Sequence, residues 1–230
     1  MLKNIFTSAF TSILVLAGLH MYVNPQKMEP VKTPSVVSLQ QSVVEITLLG
    51  EVCSGYVLKG TQEVVTAAHC LPDDDTAVLQ VKFQGDNSPH PFHVKKKGDH
   101  NFANGPDLAL LYTNDTTIKW PVGLPSCSKP GALGDPLAMF GSPLGTSNNV
   151  SFGHLSNVAV DLTERLDGAP YAKNFIGYDG QAMPGNSGGP VVNLDTGCVV
   201  GVAEAILGAN QVSNYGVNLA TNINELGKIQ

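Results

Sequence analysis

The chain has 230 residues, with 13 Lys and Arg against 19 Asp and Glu and a formal net charge of −6. That balance argues against nucleic acid as a main partner, and no internal repeat or low-complexity tract points to a solenoid or a disordered chain. Only 14% of residues are charged, and the wealth of Val, Gly, Pro, Asn and Thr favours β-structure with many turns, as one large domain or two small barrels packed as a unit.

Residues 1–23 carry Lys3 and then an uncharged run of 19 residues beginning at Ile5. Two readings stand, a secretory signal peptide and an uncleaved membrane anchor, and both expect an extracytoplasmic protein. The nearest cleavage candidate, Val15-Leu16-Ala17, falls inside the run, which tilts the reading to an anchor; membrane contact is expected only through residues 5–23. Residues 24–35 hold Pro25, Pro30 and Pro34 without periodicity and read as a tether. The folded domain, 36–230, is expected to begin near Val36.

Short apolar runs at 43–49, 55–58, 64–68, 77–83, 92–95 and 108–112 are broken by turn residues, the pattern of a barrel or sandwich. Residues 119–135, rich in Pro and Gly, read as a linker. A second set of strands is predicted at 137–140, 150–155, 158–162, 172–176, 191–193, 198–205 and 215–219, with a short closing helix over 221–228. The predicted fold is all-β: two β units, about 36–120 and 130–226, with a cleft between them where a site can be built. Nothing in the sequence speaks to oligomeric state.

Three stretches carry chemistry. In Met183-Pro184-Gly185-Asn186-Ser187-Gly188-Gly189-Pro190, three glycines and two prolines exclude a helix or strand interior and describe a tight turn presenting the Ser187 hydroxyl beside backbone amides. Such a turn suits a nucleophile with an oxyanion hole; the plain alternative is an idle hairpin. In Val64-Val65-Thr66-Ala67-Ala68-His69-Cys70, a strand ends in small residues and a histidine, the usual proton acceptor for a serine hydroxyl. In Gly105-Pro106-Asp107-Leu108-Ala109-Leu110-Leu111, an aspartate opens an apolar strand, where orienting a histidine would satisfy it. His90 and His93 have no Cys or acidic residue at ligand spacing and read as loop, and the run at 73–75 reads as solvated surface, so no metal or other cofactor is expected.

Together these stretches resemble the chymotrypsin-like serine endopeptidases. The chain order His69, Asp107, Ser187, spaced by 38 and 80 residues, is that family's order and separates it from subtilisin and α/β-hydrolase arrangements. Cys53-Ser54-Gly55-Tyr56-Val57-Leu58 looks like the strand preceding the family's histidine. Asp107-Leu-Ala-Leu-Leu, the stretch 140–145 with 150–156 after it, and 184–193 are similar to the HtrA/Deg branch, although no PDZ domain of the kind many HtrA proteins append follows. The resemblance implies two six-stranded antiparallel barrels with the active site between them. It also implies a triad of His69, Asp107 and Ser187, an oxyanion hole from the Gly185 and Ser187 amides, and a peptide or protein substrate.

The resemblance further implies a disulfide between Cys53 and Cys70; Cys127 and Cys198 remain, either paired or as free thiols. By family offset, Gln181 falls at the base of the primary pocket, Gly216 near its back, and Ala203, Glu204, Ala205 and Ile206 along a wall and edge strand. With no Asp at the base and Ile206 where open pockets carry Gly, a shallow apolar pocket is expected. Glu204 stands where many relatives have Ser, and the sequence does not explain it. Digestive-type relatives carry Asp before the nucleophile to pair with a new N-terminus; Asn186 has no charge to do so, so activation by that cleavage is not expected. Two other readings are a degenerate, peptide-gripping module on the same fold and a viral-type polyprotein-processing protease.

Overall fold

The structure is a computed structural model describing residues 34–147, 149–207 and 217–229, with backbone alone for 205–207 and 217. The leader and most of the tether lie outside the described residues. A short helix, α1 (Val36–Gln40), opens the described chain; Ser35 caps it, its Oγ accepting the Ser38 N–H at 3.2 Å.

Six strands follow: β1 (Val43–Leu48), β2 (Glu51–Val57), β3 (Val64–Thr66), β4 (Leu79–Phe83), β5 (His90–Lys97) and β6 (Ala109–Tyr112). They close into a barrel in the order β1-β2-β3-β6-β5-β4. The second six are β7 (Pro136–Gly141), β8 (Asn149–Val160), β9 (Phe175–Tyr178), β10 (Pro190–Asn193), β11 (Val199–Leu207) and β12 (Val217–Asn222). Their closed order, β7-β8-β9-β12-β11-β10, repeats the first barrel's plan, and every strand pair is antiparallel. Alternation drives the pairing: in β4, Leu79, Val81 and Phe83 turn inward while Gln80 and Lys82 face out.

Each barrel fills its own interior, the first with Ile46, Val57, Leu79, Val81, Phe92 and Leu111, the second with Leu137, Met139, Leu155, Ile176, Val191 and Val200. A third cluster forms the seam between them: Tyr56, Val65 and Leu108 from the first barrel meet Phe140, Val192 and Val202 from the second. At about 1.5–3 kcal/mol for each large apolar side chain buried, the seam is a core in its own right. The linker is stitched to both barrels, Leu124 bridging to Leu58 and Ser126 to Val199. Disulfides join Cys53 to Cys70 and Cys127 to Cys198.

The structure departs from the expected elements at several points. Runs 150–155 and 158–162 form one strand, β8, because register shifts around Asn157 absorb the break in the pattern. His90 and His93 lie on β5 rather than in a loop, and His90 Nδ1 and Nε2 reach Asp115 at 2.7 Å and Asp86 at 3.1 Å. The closing segment continues β12 through Asn222 and then makes a 3₁₀ helix, Ile223–Lys228. Helix α1 was not signalled, being too short to show a period.

Candidate active site

His69 sits on a single 3₁₀ turn, Ala68–Cys70, that follows β3 directly. The small side chains of Ala67 and Ala68 are fully buried, which lets the turn lie close against the barrel end. The imidazole emerges at 32% exposure. Asp107, at 3% exposure, lies just before β6, the strand hydrogen-bonded to β3. Its Oδ1 accepts the His69 backbone N–H at 2.7 Å, and its Oδ2 meets His69 Nδ1 at 2.5 Å. Two contacts from one carboxylate fix the position and the orientation of the ring. Burial alone would lower the His69 pKa, but the hydrogen bond and charge of Asp107 outweigh it and hold it above its ordinary value. Burial would raise Asp107, and the hydrogen bond and charge of His69 keep it below the usual carboxylate range.

Ser187 lies on the turn that feeds β10. Gly185 adopts φ +98°, and a Cβ there would lie 2.5 Å from the Ser142 carbonyl oxygen; at Gly188, φ +82°, a Cβ would lie 2.2 Å from Thr66 Oγ1. Only glycine fits either place. The turn is held from the first barrel: Ser54 N–H donates to the Ser187 carbonyl at 2.8 Å, and Ser54 Oγ–H donates to the Gly185 carbonyl at 2.7 Å. Cys70 Sγ lies 3.6 Å from the same Ser187 carbonyl oxygen, so the Cys53–Cys70 bridge abuts the turn. The amides from Gly185 to Gly189 fall into two groups. Asn186, Gly188 and Gly189 donate to Met183, Ala203 and Asn186 carbonyls, while among the described residues the Gly185 and Ser187 N–H groups donate to none. Ser187 Oγ likewise makes no hydrogen bond to His69 within the described residues.

Two hollows flank this pair of side chains. One, of about 310 Å³, is bordered by Ser187, Tyr178, Met183, Pro184, Ala203 and Glu204. The other, of about 330 Å³, is bordered by His69, Ser187, Gly185, Ile46, Val52 and the Cys53–Cys70 bridge. The Ala203 N–H and C=O are taken by Gly189 and Gly188, and beyond Ala203, among the described residues, β11 is paired to β12 alone, leaving a backbone edge beside the first hollow.

The structure thus brings His69, Asp107, Ser187, Gly185 and Ala203 to one place. Gln181 lies apart from them: it borders a neighbouring hollow with Asn149 and Ser151, and its carbonyl accepts the Ser151 hydroxyl at 2.7 Å. Ala205 and Ile206 lie on β11, opposite Leu219 and Asn218, with side chains outside the description, and Gly216 is outside the described residues. Tyr178 and Ala182, which no motif singled out, line the hollow next to Ser187 together with Met183, the first residue of the serine's turn. The one group of metal-type ligands among the described residues is Cys53, His69 and Cys70. Its two sulfurs are joined in a disulfide and offer no thiolate.

Glu204 has a distinct setting. The register between β11 and β12 shifts between Ala203 and Ala205, so Glu204 is the extra residue of a bulge. Its Oε2 accepts the Thr221 hydroxyl, Oε1 is buried without a partner, and the carboxyl reaches Asp107. Burial, and then the Asp107 charge, push its pKa well above the usual carboxylate range.

Comparison with known proteins agrees with this architecture. The family model of the trypsin-like peptidase domain matches residues 53–202. A putative serine protease of Synechocystis, HhoA, is 26% identical over 178 residues, covering 77% of this chain and 41% of its own. The serine protease Do-like HtrA of Lactococcus lactis subsp. cremoris is 30% identical over 135 residues, covering 54% of this chain and 32% of its own. The chain therefore spans less than half the length of these relatives. A protease of M. tuberculosis solved in its active form superimposes with TM-score 0.63 at 21% identity, over 86% of this chain and 82% of that one, a likeness of fold.

Proposed function

The chain belongs to the trypsin-like peptidase domain family, and on that premise we propose that it is a serine endopeptidase acting through a triad of Ser187, His69 and Asp107 and an acyl-enzyme. The observation that carries the reading is the double contact of Asp107 with His69, at 2.7 and 2.5 Å, beside a hollow that His69 shares with Ser187. A carboxylate held below its usual range and bonded to Nδ1 leaves Nε2 as the proton acceptor and stabilises the imidazolium once formed. Substrate drawn into the cleft closes the Ser187 to His69 hydrogen bond, since catalytic contacts often tighten only with substrate bound.

In this mechanism Ser187 Oγ attacks the scissile carbonyl while His69 takes its proton. The carbonyl oxygen, now negative, is received by the Gly185 and Ser187 N–H groups, neither of which has a partner among the described residues. Each such donor contributes on the order of 3 kcal/mol to lowering the barrier. His69 then protonates the leaving amine, and water resolves the acyl-enzyme by the same steps in reverse. An extended peptide would pair with the open edge of β11 and drop one side chain into the hollow lined by Tyr178, Met183 and Ala203. The two disulfides fit an oxidising, extracytoplasmic compartment.

The test is labelling with a fluorophosphonate, which reacts only with an activated serine. Wild type should be labelled and Ser187→Ala should not. Folded, oxidised wild type that resists the probe would instead favour a peptide-gripping module on a protease fold.

A further inference from the structure

We propose that Glu204 is a positioning residue of the catalytic machinery: as the neutral carboxylic acid it donates a hydrogen bond to Asp107, and its ionisation releases that hold and sets an alkaline limit on activity. The inference rests on the triad reading above and adds to it a proton-controlled support beneath Asp107.

The argument starts from donors and acceptors. An ionised carboxylate only accepts, so two of them in contact repel and satisfy nothing. Glu204 and Asp107 are in contact, and Asp107 is committed to the charged form by His69. Glu204 Oε2 already accepts from Thr221, while Oε1 is buried with no partner. A proton on Glu204 resolves both problems at once: it gives the buried carboxyl a donor and gives Asp107 a third hydrogen bond besides the two from His69. Asp107 has the capacity, since a carboxylate offers about four acceptor sites. The bulge supplies the geometry, because an extra residue in a strand re-aims its side chain.

The surroundings support the neutral form. Asp107 is the one charged group that acts on Glu204; from β12 Thr221 brings a hydroxyl, and from β9 the Tyr178 phenol is held neutral by burial and turned to Met139 Sδ at 2.9 Å. His69, bonded to Asp107, is a cation when protonated. No Lys or Arg among the described residues acts on Glu204 to favour the anion. A carboxylic acid kept neutral in a buried site so that it can donate is a known catalytic device.

When Glu204 loses its proton, the hydrogen bond to Asp107 becomes a repulsion between two adjacent carboxylates. Asp107 then has one fewer partner and a reason to move, and the His69 ring loses part of its orientation. The sign follows: activity is supported below the raised pKa of Glu204 and declines as pH rises through it.

The experiment is the pH dependence of fluorophosphonate labelling for wild type, Glu204→Gln and Glu204→Ala, read with infrared spectra of the same proteins. Wild-type labelling should rise as His69 deprotonates and fall again at alkaline pH. Glu204→Gln, whose amide still donates to Asp107 but cannot ionise, should lose the alkaline fall. Glu204→Ala should be slower by roughly ten- to a hundredfold, the effect of removing a hydrogen bond to a charged group. The wild-type infrared spectrum at neutral pH should show a protonated-carboxyl C=O band that is absent in Glu204→Gln. An alkaline fall of the same midpoint in Glu204→Gln, or no such band in wild type, overturns the proposal. If wild type is never labelled, the triad reading fails instead, while the band still reports the protonation of Glu204.

Discussion

Ser54 and Gly185, 131 residues apart in sequence, are joined by a hydrogen bond of 2.7 Å from the Ser54 hydroxyl to the Gly185 carbonyl. The same hydroxyl accepts the Ser142 N–H at 2.8 Å. One side chain on β2 of the first barrel thereby grips two loops of the second, and fixes the Gly185–Asn186 peptide, the one that follows the Gly185 N–H. Ser54→Ala leaves a buried Ser142 N–H without its partner, a cost of about 1–3 kcal/mol. The expected result is a lower unfolding midpoint and a fall in kcat on the order of tenfold with KM little changed, measured on a chromogenic peptide.

Asp107 holds His69 above its ordinary pKa, so on the proposed mechanism His69 is protonated and idle as a base until pH rises through that elevated value. The acid limb of kcat/KM should therefore lie above 6.5, the ordinary histidine value. Asp107→Asn removes the charge and reverses the ring's tautomer; kcat should drop by about 10³–10⁴-fold. A drop of less than tenfold would remove Asp107 from the mechanism.

Asn186 is 5% exposed and its Oδ1 has no partner among the described residues. Asn186→Asp places a carboxylate in the same buried site, where the described residues bordering its hollows bring no Lys or Arg to meet it. Several kcal/mol of destabilisation at neutral pH is expected, relieved on acidification as the carboxyl protonates. Urea titrations at two pH values read both effects; an unchanged midpoint at neutral pH would mean that a cation reaches the site.

The two disulfides close loops of 17 and 71 residues. On chain-entropy grounds their removal costs about 3 and about 4 kcal/mol. Replacing Cys53 and Cys70 by Ala should in addition slow labelling of Ser187, because that bridge lies against the Ser187 carbonyl. The Cys127 and Cys198 pair, attached to the linker, should affect stability without that added loss of rate.

Glu204 also links pH to stability. Its pKa is raised in the folded chain, so its contribution is complete below the ordinary carboxyl value of 4.5 and is lost as pH rises toward the folded value. Measured against Glu204→Gln, the wild-type unfolding midpoint should fall with increasing pH across that window. A flat difference would mean that the folded and unfolded carboxyls titrate alike.

Much of this was legible in the sequence where a local pattern carries the information. The inward Leu79, Val81 and Phe83 of β4 declare a strand by alternation, and the glycines at 185 and 188 declare a turn by backbone freedom. His69 and Asp107 could be paired because a strand end and a strand start are brought together when β3 lies beside β6. What was not legible depends on contacts that no local pattern encodes. Ser54 looks like any strand serine until its partner 131 residues away is in place. Gln181 follows the family's count, yet the turn that carries it directs its carbonyl to Ser151 and leaves the hollow beside Ser187 to Tyr178, Ala182 and Met183. Glu204 was conspicuous but uninterpretable, since the bulge that re-aims it and the carboxylate it meets are both products of folding.

The apolar seam of Tyr56, Val65, Leu108, Phe140, Val192 and Val202 has a consequence for the life of the chain on the ribosome. His69 and Asp107 emerge first, on a barrel whose six strands all precede those of the second, but the serine arrives on β10's approach and the strands that shape its cleft come later still. Until the second barrel folds against the first, the histidine faces no nucleophile and the turn has no Ser54 to brace it. On the proposed triad, a chain that has made only its first barrel therefore holds a histidine and an aspartate without their serine. On that reading, order of synthesis keeps the three groups apart during that interval.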